Sequence, residues 1–170
     1  AHAINQLRIA RPRMADLVLT DTTIRSKNPS VALDFGGMAK GWALDRAARY
    51  LREQRVRSAL INIGGNVLAL GRKDGKPWTV GLQNPRGPGV LGTIALTDGE
   101  AIGTSGDYQR FFELNGRRYS HLIEPELAEP TQNGTQAAIM IAPASEQAGL
   151  LSDVASKPLF LGPVARAGVY

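Results

Sequence analysis

The sequence predicts an α+β domain in which a largely antiparallel sheet packs against two main helices. Three observations carry that prediction. Short apolar runs separated by turn residues dominate the 170 residues, which include 19 glycines and 10 prolines. Only two segments hold helical signals. Tight-turn dipeptides, Asp74-Gly75, Asp98-Gly99 and Asn115-Gly116, punctuate the strand-like runs, and such turns join antiparallel neighbours.

The first 30 residues carry little pattern beyond a short strand at Asp16 to Thr20 and a loop at Ser26 to Ser30. Val31 to Phe35 is an apolar run and predicts a buried strand. From Gly37 to Gln54, Ala39, Ala43, Ala47, Ala48 and Leu51 recur at helical spacing, with Arg46, Arg49 and Arg52 mostly elsewhere. Ser58 to Ile63 reads as a buried strand that Gly64-Gly65 breaks and Asn66 to Leu70 continues. Strands follow at Trp78 to Leu82 and Val90 to Leu96, on either side of a Pro/Gly loop from Asn84 to Gly89. Asn115-Gly116 sets a hairpin between Tyr108 to Leu114 and Arg117 to Ile123. Ala137 to Ile141 is the last strand. A helix from Ser145 to about Ser156, capped by the Ser145 hydroxyl, ends or kinks at Pro158. No repeat or composition break divides the chain, so residues 1–170 are expected to form a single domain.

Composition excludes several classes of function. With no cysteine and only His2 and His121, disulfides, thiolate chemistry and a multi-histidine zinc site are ruled out. Any metal should be a hard, oxygen-bound ion such as Mg²⁺. The net charge is +5, but the cations are spread along the chain and the 6% aromatic residues do not interleave with them. A nucleic-acid partner is therefore not expected. No apolar run is long enough to span a bilayer. The chain begins at Ala1 without an initiator Met, so an N-terminal portion is expected to be missing.

The segment Leu33-Asp34-Phe35-Gly36-Gly37-Met38-Ala39-Lys40-Gly41 carries the strongest chemical signal. A strand ends at an acid, bends through paired glycines and opens a helix with a lysine in its first turn. Free N–H groups, a helix N-terminus and a cation suit a phosphate, and the same pattern also serves as a plain tight turn. The spacing is neither that of a Walker A loop nor that of a Rossmann fingerprint. Two further junctions, Asn62-Ile63-Gly64-Gly65-Asn66 and Thr104-Ser105-Gly106-Asp107-Tyr108, again put small polar residues at strand ends, which points to a binding cleft. His121 follows a strand and precedes Leu122-Ile123-Glu124-Pro125, as a structural residue or as a general acid/base in that cleft. Asp153 and Ser156 share a helix face, as two oxygen ligands for Mg²⁺ or as a solvated pair.

Taken in order, the motifs Leu-Asp-Phe-Gly-Gly-Met-Ala-Lys-Gly, Asn-Ile-Gly-Gly-Asn, Thr-Ser-Gly-Asp-Tyr and Tyr-Ser-His-Leu-Ile-Glu-Pro resemble those of the ApbE family of flavin transferases. The resemblance implies an ApbE-like, T-fold-like domain and a Mg²⁺-dependent transfer of FMN from FAD to a Thr or Ser of a target protein, with AMP released. It implies FAD contacts from Asp34, Lys40 and the Ile123 backbone, and a flavin site lined by Gly64, Gly65, Asn66, Thr104, Ser105 and Gly106. It implies His121 as the histidine of transfer, and Gly37, through its carbonyl, Asp153 and Ser156 as metal ligands. It further implies an exported protein, periplasmic or membrane-anchored, although no signal is visible in this chain.

Two departures from the family pattern stand out. The family's His-x-Ile-Asp-Pro-x-Thr-Gly-x-Pro is here His121-Leu122-Ile123-Glu124-Pro125-Glu126-Leu127-Ala128-Glu129-Pro130. The family's metal helix carries Asp and, four residues on, Thr. Counting back from Gly162 puts Ser152 and Ser156 there, and counting forward from Pro143 puts Gly149 at the aspartate. Asp153 is the nearest carboxylate, one residue or about 100° around the helix. The alternative reading is thus an FAD-binding protein on the same scaffold with impaired catalysis.

Overall fold

A computed structural model describes residues 2–163. Its centre is a four-stranded antiparallel sheet formed by β3 (Ala59–Ile63), β4 (Asn66–Leu70), β7 (Ala101–Gly106) and β12 (Ala137–Ala142), in the order β12-β7-β4-β3. Helices α2 (Ala39–Glu53) and α3 (Ala148–Leu161) cover one face. Leu44 and Ala48 of α2 and Ala148 of α3 meet Leu68, Ala101 and Ala142 of the sheet in one buried cluster. The hairpin of β5 (Trp78–Gln83) and β6 (Val90–Leu96) covers the other face, where Val67, Ala69 and Ile102 pack on Leu96 and Val80. Strand β4 is buried along its whole length because alternate side chains feed both layers.

The peripheral elements are short. Helix α1 (His2–Ala10), a 3₁₀ turn at Met14–Asp16, and the ribbon of β1 (Leu17–Leu19) and β2 (Ile24–Ser26) precede the sheet. The hairpin of β8 (Phe111–Leu114) and β9 (Arg117–Ser120) and the ribbon of β10 (Ile123–Glu124) and β11 (Glu129–Pro130) follow β7. Among the described residues no helix is long and apolar enough to cross a membrane.

The α+β architecture of antiparallel strands on two helices is as expected. Asn115 and Gly116 both take positive φ in the β8–β9 turn, as a hairpin turn of that type requires. Three local expectations fail, and one strand was not foreseen. Val31 to Phe35 is not a strand. No strand pairs with it, and Leu33 and Phe35 are exposed. Strand β7 was not anticipated, because its small residues lack a strand-like apolar pattern. Helix α3 starts at Ala148 rather than Ser145. It also runs through Pro158 to Leu161, its last turn held by the buried Phe160 and by Asn133, whose Nδ2 donates to carbonyls of that turn.

Neither main helix has a side-chain cap from its own N-cap residue. Each is capped by the other. Asp153 Oδ2 of α3 accepts the Gly41 N–H in the first turn of α2 at 2.9 Å. Asp45 of α2 accepts the Gly149 and Leu150 N–H groups of α3 at 2.7 and 2.8 Å. A carboxylate at a helix N-terminus satisfies orphan donors and complements the helix dipole. The exchange requires the helices to cross closely. A Cβ on Gly41 would lie 2.2 Å from the Gly149 carbonyl oxygen.

Candidate functional site

A cleft of about 1100 Å³ opens between the N-terminus of α2, the β3–β4 turn, the end of β7, the β5 strand and the segment after β9. The volume is large for a single small-molecule pocket, and it suits an extended ligand such as a dinucleotide.

The three glycine-marked junctions converge on this cleft. Asp34 Oδ1 accepts the Gly36 N–H at 2.6 Å and holds the bend ahead of α2. Asn62 Oδ1 accepts the Gly65 N–H at 3.0 Å, which fixes the β3–β4 turn. Gly64 and Gly65 both have positive φ there, and a Cβ on Gly64 would sit 3.1 Å from Lys40 Cδ. The left-handed φ at both positions favours glycine, and the Lys40 stem lies close against Gly64. At the third junction, Ser105 Oγ lies 2.7 Å from Ser156 Oγ, tying β7 to α3.

Of the residues expected in a binding site, Asp34, Gly37, Lys40, Gly64, Gly65, Thr104, Ser105, Gly106, His121 and Ile123 all line the cleft. Asn66 does not. It is fully buried on β4, with Oδ1 accepting the Thr104 N–H at 3.3 Å and Nδ2 lacking a hydrogen-bond partner. Asp153 and Ser156 also lie beneath the lining, each 0% exposed.

His121 is exposed, and its Nδ1 stands 3.0 Å from the Arg110 carbonyl oxygen. A carbonyl only accepts, so Nδ1 carries the proton and donates it. In the neutral ring this leaves the Nε2 lone pair free as a base.

Sequence reasoning missed Lys157. It lies one helical turn after Asp153, lines the cleft, and its Nζ bonds both Asp153 Oδ1 and the Asp153 carbonyl oxygen, the latter at 2.7 Å. Lys40 Nζ approaches the same Oδ1 at 3.5 Å. The signal available in the sequence was the Asp–Lys pair at i,i+4. Burial pushes the Asp153 carboxyl up, but the Lys157 and Gly41 donors, the nearby Asn66 amide and the Lys157 charge outweigh it and hold it below the ordinary carboxylate value. Burial pushes the Lys157 ammonium down, Asp153 opposes that shift, and Lys40 adds to it.

These contacts test the expected Mg²⁺ site, and its donor set does not fit. Mg²⁺ demands a near-octahedral shell of oxygens with one or two carboxylates. Asp153 Oδ2 is committed to capping α2, and Oδ1 faces two ammonium groups. Ser156 Oγ is shared between Ser105 Oγ and the Asp153 carbonyl. At Gly37, the remaining expected ligand, a Cβ would lie 3.6 Å from Lys157 Cε, an ordinary contact that places the lysine stem next to this residue. Among the described residues no group of three His, Cys, Asp or Glu comes together to hold an ion.

Comparison with known proteins supplies independent information. The model of the ApbE family matches residues 1–167. A FAD:protein FMN transferase of Rhodobacter capsulatus is 40% identical over 92% of this chain and 29% of its own length. One from Klebsiella pneumoniae (strain 342) is 37% identical over 79% of this chain and 42% of its own length. The chain thus spans less than half the length of either relative. Among solved structures, the ApbE protein of Thermotoga maritima superposes with TM-score 0.79 at 31% identity, covering 93% of this chain and 51% of that one. The flavinyl transferase ApbE of Pseudomonas stutzeri does so with TM-score 0.77 at 32% identity, covering 95% and 48%.

Proposed function

The chain belongs to the ApbE family, and from that premise we propose that it binds FAD in the cleft and transfers FMN to a Thr or Ser hydroxyl of a target protein. The observation that carries this reading is one cleft that joins two lysines, side-chain-free glycine turns and a histidine whose Nε2 is left as a base. A diphosphate needs cations, and Lys40 and Lys157, which both line the cleft, supply them. The target hydroxyl attacks the FMN-side phosphorus. A new O–P bond forms, the P–O bond to AMP breaks, and the electron pair leaves on the AMP phosphate. His121 Nε2 takes the hydroxyl proton, and its Nδ1–H stays anchored on the Arg110 carbonyl. No step is routed through Mg²⁺, because the residues expected to hold it do not fit it.

The test is to incubate the full-length protein with FAD and a Thr- or Ser-containing target peptide, and to follow the peptide mass and AMP together. FMN-labelled peptide with an equal amount of AMP is the expected result. Absence of FAD binding in calorimetry would falsify the reading. The internal engagement of Asp153 and Ser156 favours a second reading, FAD binding without transfer, which predicts a calorimetric signal but no AMP.

A further inference from the structure

We propose that the Lys157 ammonium takes the place of a divalent cation in this cleft, so that the two lysines hold the diphosphate of the ligand without bound Mg²⁺. The inference rests on the flavin-transfer reading above.

Three observations carry it. First, position: Lys157 Nζ bonds the carboxylate and the carbonyl of Asp153, its stem lies beside Gly37, and Ser156 precedes it on the helix. The cation thus stands among the very residues expected to surround a metal. Second, access: the side chains of Lys157 and Lys40 are 20% and 35% exposed, and both line the cleft. An ammonium has three N–H donors. Two of those on Lys157 are used on Asp153, which leaves one for a phosphoryl oxygen. Third, charge: Lys40, Lys157 and Arg110 against Asp34 and Asp153 leave net positive charge at the cleft, which an anionic ligand would offset. A divalent ion beside Asp153 and Lys40 would do the same only while bound. The lysine is fixed by the chain and indifferent to chelators.

A purely structural ion pair is the competing account, and ligand affinity separates the two. FAD titrations of the full chain by calorimetry, in EDTA and in Mg²⁺, should give dissociation constants within about twofold of each other. Lys157→Met should weaken FAD binding in EDTA by about tenfold or more, the worth of one charge-assisted contact, and Lys157→Arg should retain most of it. Electron paramagnetic resonance with Mn²⁺ alone, without FAD, should show no stoichiometric binding at millimolar concentration. Stoichiometric Mn²⁺ binding, a gain in FAD affinity of about tenfold or more on adding Mg²⁺, or a folded Lys157→Met with unchanged affinity overturns the proposal. If Lys157→Met does not fold, the EDTA and Mn²⁺ arms on the unmodified protein still decide it. Failure to bind FAD in either buffer would instead remove the flavin-transfer reading, while the Mn²⁺ arm would still report on the cation site.

Discussion

Two parts of the cleft wall are built in opposite ways. The part formed by α2, α3 and β7 is tightly packed, and Asp153 and Ser156 are wholly buried behind it. The part formed by residues 121–131 is loop and short ribbon, with His121, Ile123 and Leu127 exposed. Its backbone is tied mainly to itself, through Ala128 N–H to the Glu124 carbonyl and Thr131 N–H to the Leu122 carbonyl. Under the proposed function, charge is held on the packed frame, and proton transfer falls to the part where a second macromolecule would have room to approach. That division suits a reaction whose donor is a bound dinucleotide and whose acceptor is a protein.

If the contrast is correct, substitutions in the first part should cost stability and those in the second should not. Gly41→Ala is the most severe. Its Cβ would meet the Gly149 carbonyl carbon and oxygen and Asp153 Cβ, all within 2.7 Å, so one helix backbone must shift. A loss of about 3 kcal/mol or more is expected in denaturant unfolding. A loss under about 1 kcal/mol would show that the helix crossing is soft and break the contrast at its foundation. Asp153→Ala removes the cap of α2 and leaves two ammonium groups facing each other, for about 2–3 kcal/mol by the same measurement. Asp45→Ala removes the reciprocal cap from α3, for about 1–2 kcal/mol.

That reciprocal capping marks the limit of what the sequence discloses. The α2 helix was legible because alanines repeat at its period, and the β8–β9 hairpin because Asn-Gly demands its turn. The caps were not, since Asp45 and Gly149 are 104 residues apart and only the fold brings them together. Strand β7 was missed for a related reason. A Cβ on Gly103 would lie 2.2 Å from the Ser152 carbonyl oxygen, so the strand is made of small residues to admit α3, and smallness hides the strand pattern. In contrast, the apolar run at 31–35 looked like a strand yet has no neighbour to pair with. In the site, the glycine junctions and His121 were readable as local motifs. Lys157 was not, because an Asp–Lys pair on a helix usually faces solvent, and only the depth of Asp153 distinguishes this one.

The loop part should respond in the other direction. Ala128 has φ 54°, a left-handed conformation that costs a residue bearing a Cβ. Ala128→Gly should therefore stabilise the chain, by up to about 1 kcal/mol in thermal or denaturant unfolding. Destabilisation would mean that the alanine methyl is packed, and that this part is less open than its exposed neighbours indicate.

The smallest effect on stability is expected at the residue assigned the largest chemical role. His121 is exposed, and its ring makes one hydrogen bond, to the Arg110 carbonyl, which its own backbone N–H also reaches at 3.2 Å. Removing the ring leaves that carbonyl with a donor, so His121→Ala should shift unfolding by no more than about 0.5 kcal/mol. FMN transfer should fall by about a hundredfold or more, as when a general base is lost. FAD affinity should stay within about twofold, because the proposed diphosphate contacts lie in the other part of the wall. That combination sharpens the contrast to its limit, with one part binding and the other reacting. If affinity and transfer fell together, His121 would belong to the binding frame and the division of labour would not hold.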